Sequence, residues 1–446
     1  MATTEFSRRT QLLGPLQTLL WLGRQLISFE FFFLFFLYGI QIREILPRIP
    51  GNEVFVFGAI TMVLGGWIIL RDGIYLRGVP IFMAGLAFVA WLLMSVGWTP
   101  SRILVWQNLR FLLTVDLWAL FASACIIASS RERIVRLLCM IMVLALVVSA
   151  YGIYIELVYG SFRFFRYYGA GESWGKSIYI VWGYIAANGI IVTLAIAIYS
   201  RLASLKQLLA LAAFGICIYF LLLAGGRGPL LAILSAGLVA VLVQAPRIGN
   251  GRLEISQVQL VTLGIIGLGI AYVAYLFSTG ETTATLGRFL SLLEEADDPL
   301  LRSGANRFDY FAAAYRLWLE SPVIGHGLAS FAPLFAGGAE IQGTYPHNAI
   351  LQILAEFGAV GGLLFVILLF TALRNFSLKR LQQDPLALVV MMMFVTFAVQ
   401  TMVAGDITMN YRFFFILGLL AMRPLATDDD EEEDEELPKE RTTGIR

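Results

Sequence analysis

The sequence predicts an all-α polytopic membrane protein of about 12 transmembrane helices, with one large loop domain on a single face. Two observations carry that expectation. Of 446 residues, 59% are hydrophobic and only 14% charged, and the mean hydropathy is +0.78. Soluble domains run near a quarter charged, so an ordinary cytosolic globule is excluded. The apolar runs are also continuous and about 20 residues long, enough to cross ~30 Å of hydrocarbon as helix. Barrel strands would alternate apolar and polar residues instead. The three cysteines, Cys125, Cys139 and Cys217, all lie inside apolar runs and offer neither a disulfide framework nor metal-ligand spacing.

The elements follow in order. Residues 1–25 show no cleavable leader pattern, because the apolar stretch from Leu12 is interrupted by Gly14, Pro15, Gly23 and Arg24. They are expected to lie at the interface, arginine heads in water and stems on lipid. Nine spans are expected within 26–277, at 26–42, 53–70, 79–97, 110–130, 137–158, 178–200, 207–224, 229–245 and 258–277. Residues 278–346 form the large loop, and loops of that length are usually functional or disordered. Three more spans, 347–373, 386–404 and 411–423, fall within 347–424. Residues 425–446 form a disordered acidic tail, with nine consecutive acids from Asp428 to Glu436. The tail masks a basic body: the chain totals +1, yet residues 1–426 carry 29 basic and 21 acidic groups, or +8.

An even number of spans places both termini on one side. With the termini inside, the inner segments hold 14 Lys and Arg, among them Arg71, Arg131, Arg133, Arg136 and Arg380, against nine in the short outer loops. That bias selects termini-inside, which puts the 278–346 loop outside. The aromatics Tyr310, Tyr315 and Trp318 argue for order in this loop. Asn306 to Glu320 reads as an amphipathic helix capped by Asn306, with Phe308, Phe311, Ala312, Tyr315 and Leu319 on its packed face and Pro322 beyond its end.

Both histidines, His326 and His347, belong to this loop or its end. With Pro346 in a first helical turn, His347 is expected at a helix N-terminus, where the dipole favours neutral imidazole able to accept a proton. Asn348, Gln352 and Glu356 repeat every four residues and form a polar stripe beneath it; Glu356 lies ~13 Å lower at 1.5 Å per residue. A carboxyl at that depth must face protein or water. An interfacial histidine above a structural glutamate is the alternative reading. Arg227 stands in a turn of three glycines, Gly225-Gly226-Arg227-Gly228, where backbone and guanidinium can approach an anion closely. Arg307 opens the loop helix, with Arg302 and Arg316 nearby, and guanidinium groups bind phosphate in a bidentate way. A snorkelling Arg227 and a solvated Arg316 are the plainer alternatives. Arg163, Arg166 and Lys176, with Tyr167 and Tyr168, suit lipid headgroups or sugar phosphates. The intramembrane acids Glu30, Asp116 and Glu156 motivate a rival, a proton-coupled transporter or lipid flippase. No P-loop, dinucleotide-binding glycine pattern or HExxH motif is present.

The stretch from Arg307 to Gly362 resembles the defining region of the O-antigen ligase/polymerase superfamily. An arginine heads an aromatic helix ending in Trp318. Pro322-Val323-Ile324-Gly325-His326-Gly327 follows, then His347-Asn348-Ala349-Ile350-Leu351-Gln352 and Glu356-Phe357-Gly358-Ala359-Val360-Gly361-Gly362. Upstream, Gly226-Arg227-Gly228-Pro229 resembles the family's Ser-Arg-Gly turn, with Gly226 in place of serine.

The resemblance implies a metal-independent, inverting glycosyltransferase of the GT-C type in the bacterial inner membrane, with its active site facing the periplasm and the 278–346 loop periplasmic. The implied donor is a glycan on undecaprenyl diphosphate. Arg227 and Arg307 would hold the diphosphate, and His347 would orient or deprotonate the acceptor hydroxyl. Asn348, Gln352, Glu356 and Arg302 would support them, and His326 would be substrate-adjacent or structural. The leading expectation is transfer to lipid A–core oligosaccharide in lipopolysaccharide biosynthesis. A polymerase joining lipid-linked repeat units is the close alternative, and transfer to protein hydroxyls a third. Membrane lipids and polysaccharide-assembly proteins are the other expected partners; no cofactor, metal or nucleic acid is expected.

Overall fold

The computed structural model describes residues 27–43, 45, 52–159, 178–199, 204–244, 247–249, 252–254, 260, 264, 267 and 305–424. The segment 1–25, the ninth expected span apart from three isolated positions, the first part of the large loop with Arg302, the basic-aromatic stretch 163–176 and the acidic tail lie outside the described residues.

The chain is overwhelmingly helical. In order come α1 (Phe29–Tyr38), α2 (Glu53–Asp72), α3 (Val79–Met94), α4 (Leu104–Phe111), α5 (Leu117–Cys125), α6 (Arg131–Tyr159), α7 (Ile178–Tyr199), α8 (Leu205–Ala224) and α9 (Arg227–Val243). A small antiparallel hairpin follows, β1 (Arg247–Gly249) paired with β2 (Arg252–Glu254). Then come α10 (Ala305–Glu320), α11 (Phe331–Phe335), α12 (Ala349–Leu373), α13 (Leu378–Gln383), α14 (Pro385–Ala404) and α15 (Tyr411–Leu419). Eight helices among the described residues are long and apolar enough to cross a membrane, and Phe29–Ile42 and Arg227–Val243 are shorter apolar helices. The chain is therefore a polytopic membrane protein. The fourth span begins at Leu104, earlier than expected, and bends through a π-helical turn at Leu112–Asp116 into α5. The last helix closes at Leu419, short of the expected 423.

Large apolar side chains stand on both the outer and the inner sides of the helices. Val63, Trp67, Leu70, Leu234, Leu363, Val366 and Phe370 point outward, while Phe33, Phe36, Phe88, Phe220, Phe397 and Phe413 are fully enclosed. In lipid there is little hydrophobic drive between helices, so close packing depends on small residues. Gly418 illustrates this: a Cβ there would collide with Ser123 Oγ and come within 2.7 Å of the Leu120 carbonyl, which brings α15 directly onto α5.

One end of the bundle is tied by ion pairs. Arg131 grips Asp384 through two 2.6 Å contacts, Arg136 reaches Glu30 at 3.1 Å, and Arg133 reaches Asp72 at 3.3 Å. These bonds join α1, α2, α6 and α14. The opposite end carries the loop helix and the candidate site.

The loop helix α10 is present, with two corrections. It begins at Ala305, so Asn306 lies within the first turn instead of ahead of it. Its packed face is Tyr310, Ala313, Ala314 and Leu317, set against Phe331, Leu351 and Ala355. The expected face points out: Phe308 is 73% exposed, and Tyr315 and Leu319 are also exposed. Two adjacent alanines let α10 approach α12 more closely than a ridge of aromatics would, so small residues outweighed large ones in choosing the face.

Candidate active site

The site is organised around a break in α12. At Gly358 the backbone turns to φ 63°, ψ −165°, a conformation open to glycine alone, and a Cβ there would collide with the Val323 carbonyl. Broken helix inside a membrane strands backbone polar groups, which must find partners in protein. The Pro322–Gly327 turn and one tryptophan supply them. His326 N–H donates to the Ala355 carbonyl at 3.1 Å, Gly327 N–H to Glu356 at 2.7 Å, and Trp91 Nε1 to Phe357 at 3.0 Å. In return, the Ala359 and Val360 amides donate to the carbonyls of Pro322 and Val323, at 2.8 and 3.2 Å. The two glycine-bearing motifs of the sequence are thus two halves of one backbone junction.

His347 stands just ahead of this helix. The helix starts at Ala349, capped by the Asn348 side chain, which accepts from Leu351 N–H at 3.0 Å. The expectation of Pro346 in the first turn is therefore corrected: His347 lies before the cap, in the left-handed region at φ 55°. A non-glycine residue held there is strained by of order 1–3 kcal/mol and is typical of functional sites. Its ring lies between two tyrosines, with centroids 4.1 Å from Tyr345 and 5.8 Å from Tyr310. Its Nδ1 is buried and finds no hydrogen-bond partner among the described residues. Burial, and then the nearby Arg307 guanidinium, push the imidazole pKa down from 6.5 to about 4. The ring is neutral near pH 7, as expected, but burial and Arg307 are the causes in place of the helix dipole.

The arginines converge on the same end. Arg307, one turn ahead of Tyr310 on α10, is electrostatically coupled to His347, Tyr345 and the Tyr184 hydroxyl on α7. That hydroxyl also abuts the other arginine turn, for a Cβ on Gly228 would come within 2.5 Å of it and 3.3 Å of Val403. Arg227 opens α9 after a two-residue link, with Gly226 in the N-cap position, so the residue stands at the first amides of α9. Tyr184 therefore touches Arg227's turn and lies within electrostatic reach of Arg307, a placement with no signal in the sequence beyond an aromatic in an apolar run.

Beneath His347 the polar stripe is a closed network. Gln352 Nε2 donates to Asp406 Oδ1 at 2.8 Å and to Glu356 Oε2 at 3.3 Å, and its Oε1 accepts from Ile407 N–H at 3.0 Å. Glu356 Oε1 accepts from Phe331 N–H at 3.1 Å. Gln352 and Glu356 are buried and tie α11, α12 and the 405–410 turn together. Asp406 was legible only as an acid closing an apolar span. His326 is structural here: Nε2 lies 2.9 Å from the Leu317 carbonyl and 3.9 Å from Glu320, which fastens the end of α10. Arg316 is exposed and bonds its own helix at Ala312. Among the described residues, no three His, Cys, Asp or Glu side chains converge as a metal-ligand set.

The described part of the loop has a further latch that sequence reading missed. Glu340 reaches the start of α4, where its carboxylate accepts from the amides of Arg102, Ile103 and Leu104, at 2.5, 2.9 and 2.8 Å, and from Ser101 Oγ at 2.8 Å. Desolvation raises its pKa, but these four donors outweigh it and bring the value down to about 2.

Comparison with known proteins agrees with the motifs. A family model described as O-antigen ligase matches residues 212–366, the stretch that runs from α8 through the Arg227 turn, α10 and the His347 region into α12. A protein of Rickettsia conorii named as a polysaccharide ligase is 34% identical over 85 residues, 15% of this chain and 21% of that relative, so the chain spans about a fifth of that relative's length. These matches place the region with O-antigen ligase-like proteins, as the sequence motifs implied.

Proposed function

We propose that the protein is a metal-independent, inverting glycosyltransferase of the GT-C type that acts at the periplasmic face of the bacterial inner membrane. It transfers a glycan from undecaprenyl diphosphate to an acceptor sugar, with lipid A–core oligosaccharide the leading acceptor. The observation that carries this reading is that Arg227's turn abuts Tyr184 while Arg307 lies within electrostatic reach of both Tyr184 and His347, two cations and a neutral base at one end of an apolar bundle.

The chemistry fits the arrangement. The acceptor oxygen attacks the anomeric carbon, its proton passes to His347, and the carbon–oxygen bond to the diphosphate breaks with its electron pair on the leaving group. Arg227 and Arg307 stabilise that growing charge, a preorganised electrostatic effect commonly worth 10²–10³ in rate per donor. Arg307 has a second effect. Burial first, and its charge second, hold the free His347 down at about 4, too weak a base to be efficient near neutrality. An anionic diphosphate on Arg307 cancels that influence and raises the imidazole pKa, so donor binding arms the base.

The test is a deletion-and-complementation assay in the native host, resolving surface glycan and lipid-linked intermediates by gel. Full-length polymer held on undecaprenyl diphosphate over bare core supports the ligase; a core bearing single repeat units makes the protein a polymerase. A second reading, proton-coupled transport, draws on Asp116, which is buried with neither carboxyl oxygen hydrogen-bonded among the described residues. Glu30, also invoked for it, is engaged by Arg136 and Arg133. Unaltered glycan in both pools, together with loss of function in Asp116→Asn and not in His347→Ala, would favour transport.

A further inference from the structure

A cavity opens at the same end of the bundle, with Met409 of the 405–410 turn in its wall. Its volume is about 650 Å³, within the usual range for ligand sites. Arg110 and Arg412 flank it, Trp106 and Phe111 give it aromatic walls, and Gln41 and Gln342 add side-chain amides.

Its charges are uncompensated. Neighbouring Arg43 is held by Glu53 through both carboxylate oxygens at 3.1 Å, but Arg110 and Arg412 make no ion pair among the described residues. Each is instead supported on ring faces: Arg110 lies 4.8 Å from the Phe55 centroid, and Arg412 lies 5.5 Å from Tyr411 and 5.8 Å from Tyr38. Stacking of this kind holds a guanidinium extended with its N–H edge outward. Gln41 is 9% exposed; its Nε2 donates to the Tyr411 hydroxyl at 3.3 Å, and its Oε1 has no partner among the described residues. A buried polar atom left so costs about 1–3 kcal/mol, and a ligand hydroxyl would relieve it.

Amides for hydroxyl groups, aromatic walls for the C–H faces of sugar rings, and two guanidinium groups without an acidic partner among the described residues form one ligand description. The cavity is also linked to the transfer site. Met409 in its wall belongs to the turn whose Asp406 and Ile407 are bonded to Gln352, four residues past the Asn348 cap, and Gln342 precedes Tyr345 and His347 on the same loop. We propose that this cavity binds an acidic stretch of the acceptor glycan, one whose sugars carry phosphate or carboxylate groups, and so presents the neighbouring hydroxyl toward His347. The proposal rests on the transfer reading.

The test uses the full chain in nanodiscs of zwitterionic lipid, with tetragalacturonate as the acidic probe and maltotetraose as the neutral one, and Kd measured by calorimetry. Tetragalacturonate is expected to bind more tightly than maltotetraose, with affinity falling as salt rises. Arg110→Gln with Arg412→Gln should weaken it by about tenfold or more, the loss of charge-assisted contacts. Gln342→Ala, on an exposed loop, is a milder second variant for the case in which the double variant does not fold. In the transfer assay the Arg variants should raise the acceptor KM and leave kcat and donor binding nearly unchanged. Equal binding of the two probes, or acidic-probe binding indifferent to all three substitutions, overturns the proposal. So does phosphatidylglycerol in the disc displacing the probe while the acceptor KM ignores the arginines, which would make this a lipid site. Because probe binding needs no chemistry, it separates the two readings: unaltered glycan in both pools on deletion, with the purified chain still binding the acidic probe, would sink the transfer reading and leave the cavity an acidic-glycan site.

Discussion

The two ends of the bundle use the same residue types in opposite ways. At one end four arginines have met an acid: Arg131 with Asp384, Arg136 and Arg133 with Glu30, Arg71 with Asp72. At the other, Arg43 holds Glu53, but Arg110, Arg307 and Arg412 make no ion pair among the described residues, and Glu340, Glu356 and Asp406 are engaged by amides. Paired guanidinium groups close a structure; unpaired ones, gathered where a neutral histidine is strained and half-enclosed, hold charge ready for an anion.

The sharpest way to break that contrast is to remove the base. His347→Ala should lower the transfer rate by 10²–10⁴, the usual contribution of general acid–base catalysis, with solubility and thermal stability unchanged. Arg307→Lys keeps a charge but loses the planar fork, and should cost 10²-fold or more in kcat if two-point contact with diphosphate is what matters. Both are read in a reconstituted assay with purified lipid-linked donor. Normal turnover in either variant would show that the open end is not the reaction site.

Much of this site was legible before any coordinates, because its chemistry is carried by rare residues. Two histidines in the whole chain, an arginine among glycines and an acid deep in an apolar run stand out against a background that is 59% hydrophobic. What the sequence did not reveal depends on distant pairings. Tyr184 and Asp406 acquire their meaning only when α7 and the 405–410 turn meet α10 and α12. Glu340 looks like an ordinary loop acid until it meets the start of α4. The packed face of α10 was misread because hydrophobic size was taken as the signal, whereas close approach through Ala313 and Ala314 decided it. The Gly358 break was hidden in an unbroken apolar run, since its lost hydrogen bonds are restored by the 322–327 turn.

The closed end makes the next largest prediction. Asp384 is almost fully buried and bonded to both guanidinium nitrogens of Arg131, so Asp384→Asn removes the charge and leaves Arg131 without its counterion. Breaking such a pair costs about 3–5 kcal/mol. The expected result is a clear fall in thermal stability in detergent, with transfer per folded molecule unaltered. A variant of normal stability but impaired turnover would mean that the two ends are not independent.

A pH profile tests whether the base is armed by its donor. Free His347 is neutral above about 4, so the acid limb of kcat/KM should fall only as pH drops through that value. With diphosphate bound the lowering influence of Arg307 is neutralised while burial, the larger cause, remains, so the limb in kcat should move upward from about 4 but stay below 6.5. In Arg307→Gln the free-enzyme limb should already lie higher. Coincident limbs in kcat and kcat/KM would remove the coupling and leave burial alone as the cause.

The smallest effect belongs to Glu340, the one acid at the open end that acts as a latch. From 236 residues away it accepts from Leu104 N–H and two neighbouring amides, doing for the start of α4 what a local N-cap does elsewhere. Its folded pKa of about 2 lies below the usual 4.5, so the stabilising contribution is complete above pH 4.5 and is lost as pH falls toward 2. Glu340→Gln keeps one acceptor oxygen and the side-chain shape but gives up the charge, so the latch should loosen without the fold failing. Hydrogen exchange should then quicken in 336–346 and at the amides of 102–104, with a few-fold rise in acceptor KM, because the same loop carries Gln342 and leads into His347. Exchange confined to the first segment would mean that α4 keeps its own cap and that Glu340 is a passenger on the loop.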